Sequence, residues 1–99
     1  MDVDLRLLGY AVVLSRHRHF GRAAVSLKIS QPTLSRSIAT LERQLGVRLF
    51  ERSKRDVSAT PAGHEVLQMA GELVSRAEAM SHKVQLVRDG AGGRVRVVM

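Results

Sequence analysis

The stretch between Ser30 and Gly46 restricts the fold more than any other part of the chain. Leu34, Ile38, Leu41 and Leu45 recur at intervals of four, three and four, which is one apolar stripe of a helix. Ser30 suits the N-cap, because its hydroxyl can accept an orphan backbone N–H. Pro32 falls in the first turn, where a missing N–H costs nothing. Gly46 follows the last apolar position and supplies the left-handed residue that commonly ends a helix. A helix apolar on one side only must lie on a core built by its neighbours.

Those neighbours are legible. Asp4 can cap a first helix with Leu5, Leu8, Ala11 and Val12 on one face, and Arg16-His17-Arg18-His19 closes it with the cations its dipole favours. Phe20-Gly21 opens a short second helix in which Ala23, Ala24 and Leu27 face inward. Two successive alanines predict that another helix packs closely there. Val47 to Arg52 reads as a short strand and Val57 to Ala59 as its return, with Ser53-Lys54-Arg55-Asp56 as a polar, basic tip. Thr60-Pro61 starts another helix, an N-cap followed by proline at the first helical position. No breaker follows until Gly90-Ala91-Gly92-Gly93, so this helix should span 61–89, about 43 Å at 1.5 Å per residue. Arg94-Val95-Arg96-Val97-Val98-Met99 looks like the beginning of a strand, and the chain therefore reads as a piece of something longer.

A short helix, a tight turn through Lys28-Ile29-Ser30, a longer helix and a basic hairpin make a winged helix-turn-helix. The expected fold class is mainly α: three helices plus a two-stranded wing over 1–60, then a long linker helix over 61–89. Residues 90–99 would be a hinge and the first strand of a further domain.

Charge says what this shape meets. Lys and Arg number 16 against 9 Asp and Glu, a net charge of +7, which favours a polyanionic partner. The excess is not evenly spread. Residues 1–60 carry eleven basic and five acidic groups, whereas 61–99 carry five and four. The polyanion should meet the first part, and the linker helix should have another task. No cysteine is present, which excludes a disulfide scaffold, a thiolate zinc site and a cysteine nucleophile. The longest apolar run, Ala11 to Leu14, is far below the roughly 20 residues that span a bilayer, so no membrane role is expected. Neither is a secretory leader, which leaves the cytoplasm as the expected compartment. With only Tyr10, Phe20 and Phe50 as rings, stacking on single-stranded bases is a poor fit.

At 100° per residue, the stripe of the third helix centres opposite Pro32, Arg36, Ala39, Thr40 and Arg43. Small residues at 32, 39 and 40 let the axis approach the floor of a major groove. Arg36 and Arg43 offer forked donors suited to guanine edges or phosphate. Gln31, Thr33 and Ser35 sit at the N-terminal end with groups that both donate and accept. The bland alternative is a solvated face on which Ser30 and Gln31 only cap.

Phe20-Gly21-Arg22-Ala23-Ala24, Ser30-Gln31-Pro32-Thr33-Leu34-Ser35-Arg36 and Leu41-Glu42-Arg43-Gln44-Leu45-Gly46-Val47-Arg48-Leu49-Phe50-Glu51-Arg52 together resemble the DNA-binding region of LysR-type transcriptional regulators. Thr60-Pro61-Ala62-Gly63 continues the match into the family's linker helix. The resemblance covers about residues 4–89. It implies that Gln31, Pro32, Thr33, Ser35 and Arg36 contact bases or adjacent backbone, and that a wing arginine, Arg52 or Arg55, reaches phosphate or the minor groove. Thr40, Arg43 and Lys54 complete the expected DNA-binding set. The chain departs from the pattern at Ala11, where a large aromatic is usual, at Ala59 and at His64.

Val66, Ala70, Leu73, Ala77, Met80, Val84 and Val87 alternate by four and three, a strict heptad seam. So narrow a stripe calls for a partner helix, and a homodimer through the linker is expected. Gly63, Ala70 and Ala77 are small enough for the two helices to sit close. The resemblance implies antiparallel linkers, tetramers in many full-length members, and a small-molecule effector bound by the domain beyond residue 90. Double-stranded DNA is thus the expected partner, with no cofactor. His17-x-His19 lacks further ligands for a metal, Met69 and Met80 read as packing residues, and Gly90-Ala91-Gly92-Gly93 lacks the context of a phosphate loop. Two rivals use the same charge: an architectural protein that coats DNA without sequence preference, and a pure dimerisation module. No nucleophile, base and orienting group suggests an enzyme.

Overall fold

The computed structural model describes residues 2–53 and 56–91. The elements run α1 (Leu5–His17), α2 (Phe20–Leu27), α3 (Gln31–Leu45), β1 (Phe50–Arg52), β2 (Val57–Ala59) and α4 (Pro61–Leu86), with a wider π-type turn over Val87–Ala91. Three helices, an antiparallel hairpin and a long last helix match the expected class. Lys54, Arg55 and the strand expected at 94–99 lie outside the described residues.

Local chemistry sets each boundary. The Asp4 carboxylate accepts from the Arg6 amide at 2.9 Å and starts α1. Arg18 ends it in a left-handed conformation, φ 56°, its amide donating to the Leu14 carbonyl at 2.8 Å. The cap of α2 is His19, whose Nδ1 accepts from the Arg22 amide at 3.1 Å. Lys28 closes α2, also left-handed, with φ 61°. Ser30 Oγ accepts from the Thr33 amide at 3.2 Å to begin α3, and Gly46, φ 75°, ends it.

Leu34, Ile38 and Leu41 of α3 are fully buried against Leu7, Leu8, Ala11, Val12 and Leu14 of α1 and Ala23 and Ala24 of α2. Leu45, last in the stripe, is half-buried. One expected core position is wrong: Leu5 remains 46 % exposed, while Leu7 and Leu14 are covered. The reason is that α1 packs against α2, α3 and α4 at once. Its buried face is therefore broader than a single stripe.

β1 begins at Phe50 rather than Val47, because neighbours have taken the backbone groups a longer strand would pair. Glu42 Oε2 accepts from the Leu49 and Phe50 amides at 2.7 and 3.2 Å. The Arg48 carbonyl accepts from Thr60 Oγ1 at 2.6 Å, and the Leu49 carbonyl from the Thr60 amide at 3.0 Å. Glu42→Ala strips two amides of a charged acceptor and should destabilise the domain by about 2–3 kcal/mol in urea unfolding. Glu42→Gln, which keeps an acceptor oxygen, should lose less.

Thr60 Oγ1 also accepts from the Gly63 amide at 2.8 Å, capping α4. Leu67 and Ala70 seal the core, with Val66 and Val74 half-buried beside them. From Glu78 to Asp89 every described residue is exposed. The 26-residue α4, about 39 Å long, therefore overhangs the domain it starts on. The hinge expected from Gly90 is not where the helical winding stops: the π-type turn carries it through Gly90 to Ala91. Gln85 Nε2 donates to Asp89 Oδ2 at 3.2 Å across this junction. Among the described residues, no helix is long and apolar enough to cross a membrane.

Candidate nucleic-acid interface

Burying Leu34, Ile38 and Leu41 turns the opposite side of α3 outward. Gln31, Pro32, Arg36 and Arg43 are exposed, and Thr33, Ser35, Ala39 and Thr40 are half-buried between them. Gln31 to Arg43 spans about 18 Å of helix, enough to lie along a major groove some 12 Å wide.

These side chains differ in how much hydrogen-bonding capacity remains. Ser30 Oγ donates to Thr33 Oγ1 at 2.8 Å, so the Thr33 hydroxyl is tied into the cap and keeps its own hydrogen to give. Arg43 Nη2 donates to Thr40 Oγ1 at 3.2 Å, joining two expected contact residues along one edge of the helix. Among the described residues Arg36 has no hydrogen-bond or ion-pair partner, which leaves its donors available. After Gln31, the first turn of α3 has its amides spoken for: Pro32 carries no N–H, the Thr33 amide donates to Ser30 Oγ and the Leu34 amide to the Ser30 carbonyl. What this end adds beside Gln31 is the positive end of the helix dipole.

The wing is tied to the corner between α1 and α2 by both its strands. In the β1–β2 ladder Arg52 faces Val57, Glu51 faces Ser58 and Phe50 faces Ala59. The Val57 amide donates to the Arg18 carbonyl at 3.1 Å, and Arg18 Nη2 bonds Asp56 Oδ2 at 2.6 Å. Asp56 in turn is held by Ser53, whose amide donates to the Asp56 carbonyl at 2.9 Å. On the other strand, the Arg52 guanidinium carbon sits 4.6 Å from the centre of the Phe20 ring. Arg52 is exposed, as a residue meeting DNA must be; Lys54 and Arg55 are outside the described residues.

The expected dimer seam divides into two parts. Ala70 is only 2 % exposed and Val66 is half-buried, both packed on the chain's own core, so Ala70 offers no surface to a partner. Ala77 is half-buried and lines a shallow groove with Leu5, Gly9 and Val74. Leu73, Met80, Val84 and Val87 are exposed, as is Met69, a turn of helix before Leu73. The apolar stripe therefore starts at Met69 rather than Ala70. Gly63 is likewise used within the chain, against the backbone of Leu49.

Several working residues gave little or no sequence signal. His19 is not a usual N-cap type, and nothing in the sequence around Glu42 points to the Leu49 and Phe50 amides it binds. Phe20 reads in the sequence only as the start of the second helix, with nothing to show that its ring meets Arg52.

Comparison with known proteins agrees with this geometry. The family model described as bacterial regulatory helix-turn-helix protein, lysR family, matches residues 5–64. The transcriptional regulator YnfL of Escherichia coli K12 is 38% identical over 97 residues, covering 98% of this chain and 33% of YnfL. The SDS degradation transcriptional activation protein of Pseudomonas sp. strain ATCC 19151 is 43% identical over 94 residues, 95% of this chain and 31% of that protein. The chain thus spans about a third of the length of these relatives. The DNA-binding domain of BenM, a regulator from Acinetobacter baylyi, crystallised with benA site 1 DNA, superposes with a TM-score of 0.80 at 40% identity. That match covers 89% of this chain and 99% of the BenM domain. These are transcription regulators and not enzymes. With three helices, a hairpin wing and a long last helix in the same order, the chain belongs to the LysR family of bacterial regulatory helix-turn-helix proteins.

Proposed function

We propose that this domain reads double-stranded DNA in a sequence-specific manner as a homodimer, and so regulates transcription in the cytoplasm. The observation that carries the reading is the polar side of α3, left open opposite the buried Leu34, Ile38 and Leu41, with Arg36 at its centre and unpartnered among the described residues. A non-specific DNA-coating protein needs only positive charge; it has no need of Gln31, Thr33, Ser35 and Arg36 grouped at one end of a groove-sized helix. The BenM domain, crystallised on DNA, supports the same placement by its similarity. In this arrangement α3 enters the major groove, and Arg52, with Lys54 and Arg55, meets phosphate or the adjacent minor groove.

Self-association is supported by Met69, Leu73, Met80, Val84 and Val87, an apolar stripe that α4 carries past the end of its own core. Beside its first two residues lies an apolar groove lined by Val3, Leu8, Leu45 and Val66. A second copy of α4 laid against this face would bury both, and would set two α3 helices on one face of the duplex. Effector binding and tetramer formation are proposals for a longer protein that carries this segment.

Arg36→Ala tests the reading. If its guanidinium pairs with a guanine edge, the variant should lose about 1–3 kcal/mol on the preferred site and tolerate other bases at one position. Competition with unrelated duplex at fixed salt measures both. Equal weakening on preferred and unrelated DNA would show that Arg36 holds backbone only, and an unchanged affinity would remove it from the interface.

A further inference from the structure

Arg18 and Arg52 both belong to the contact between the α1–α2 corner and the wing, but they are used differently. Arg18 gives its donors away: Nη2 to Asp56 at 2.6 Å and Nε to the Val57 carbonyl at 3.4 Å. Arg52 is held by the face of the Phe20 ring at 4.6 Å, a contact that takes up none of its N–H groups. Stacking fixes the plane of a guanidinium and leaves its edges free for an anion, which an ion pair would not do. Phe20 itself is half-buried, its inner side packed on the core and its ring reaching the surface under Arg52. It follows His19 and opens α2, so its position is set by the corner that Arg18 clamps to β2.

We propose that Phe20 is a positioning residue for DNA binding: its ring holds the Arg52 guanidinium in a fixed orientation with all donors free to meet a phosphate beside the groove that α3 enters. This rests on the wing-arginine role given under Proposed function. Phe20 touches no DNA in this scheme. Its contribution is to spare Arg52 the ordering cost of finding that orientation when DNA arrives.

A double-mutant cycle on the 99-residue chain separates this from ordinary packing. The probe is a random-sequence duplex long enough for two half-sites, titrated by fluorescence anisotropy over a range of salt. Arg52→Ala should weaken binding and lower the salt slope by about one unit. Phe20→Leu, which keeps an apolar core residue but removes the ring face, should weaken binding about two- to fivefold, the worth of an exposed cation–π contact. In the Arg52→Ala background Phe20→Leu should change nothing further, and Phe20→Tyr should bind as the parent does. Circular dichroism checks that each variant is folded; Phe20→Met takes the place of Phe20→Leu if leucine unfolds the domain. Equal losses from Phe20→Leu with and without Arg52 would overturn the proposal, since Phe20 would then act through packing. So would an unchanged affinity for Phe20→Leu where Arg52→Ala still weakens binding. Arg52→Ala without effect on affinity or salt slope would instead remove the wing-arginine role, and this proposal with it.

Discussion

Gly63→Ala should destabilise the domain by about 3 kcal/mol or more, at the upper end of what overpacking a core costs. Gly63 sits in the first turn of α4, where alanine ought to help by about 1 kcal/mol of helix propensity. It cannot help here, because a Cβ at this position would overlap the Leu49 carbonyl oxygen and lie 2.8 Å from the Leu49 carbonyl carbon. The obstacle is backbone, and it is fixed from several directions. The same carbonyl accepts from the Thr60 amide, and the Leu49 amide donates to Glu42. To make room, α4 would have to lift from the loop before β1, loosening the Thr60 cap and the packing of Leu67 on the core. Gly71→Ala, in the same helix with nothing within 4 Å of its Cβ, supplies the contrast: it should be neutral or stabilising. Urea midpoints of the two variants measure the difference. A Gly63→Ala midpoint equal to the parent's would mean that α4 does not dock on Leu49 as described.

Met80→Glu combined with Val84→Glu should abolish dimer formation and weaken DNA binding by about a hundredfold or more. Met80 is 65% and Val84 46% exposed, so neither supports the fold of its own chain, and the monomeric variant should still fold, with a midpoint below the parent's by what dimer formation adds. Charge on both would be buried without a counter-ion if two linker helices met on this stripe. The loss in DNA affinity follows because a second half-site held in the same dimer binds at high effective concentration, an advantage a monomer lacks. Light scattering reads the mass, and anisotropy reads the affinity. A parent that is itself a monomer at the concentrations where it binds DNA, or a double variant that remains dimeric, would place the self-association surface elsewhere.

What was legible in the sequence was what is encoded locally. Ser30, Pro32, Leu34, Ile38, Leu41, Leu45 and Gly46 contain the start, the buried side and the end of α3, and the structure follows them except that Leu45 is only half-buried. From the buried side, the open side of the candidate interface follows by geometry alone. Contacts between distant segments were not legible. Ala70 and Gly63 are small for reasons that lie across the fold, in α1 and at Leu49, and no spacing within α4 separates those demands from those of a partner helix. β1 is short because Glu42 and Thr60, seven and eleven residues from Leu49, claim its backbone groups. Leu5 shows the same limit from the other side. Its spacing fits the stripe on α1, but it ends up 46% exposed at the rim of a groove shared with Val74 and Ala77 of α4.

Selection of bound sites from random duplexes by the 99-residue chain tests the central claim most directly. If the open side of α3 reads base edges from two copies at once, selection should converge on a motif with two-fold symmetric arms, their centres about one helical turn apart or a multiple of it. Arg36→Ala should then relax one position in each arm. Recovery of sequences no different from the starting pool, at salt where the chain still binds, would contradict the claim and leave a protein that recognises only the charge of DNA.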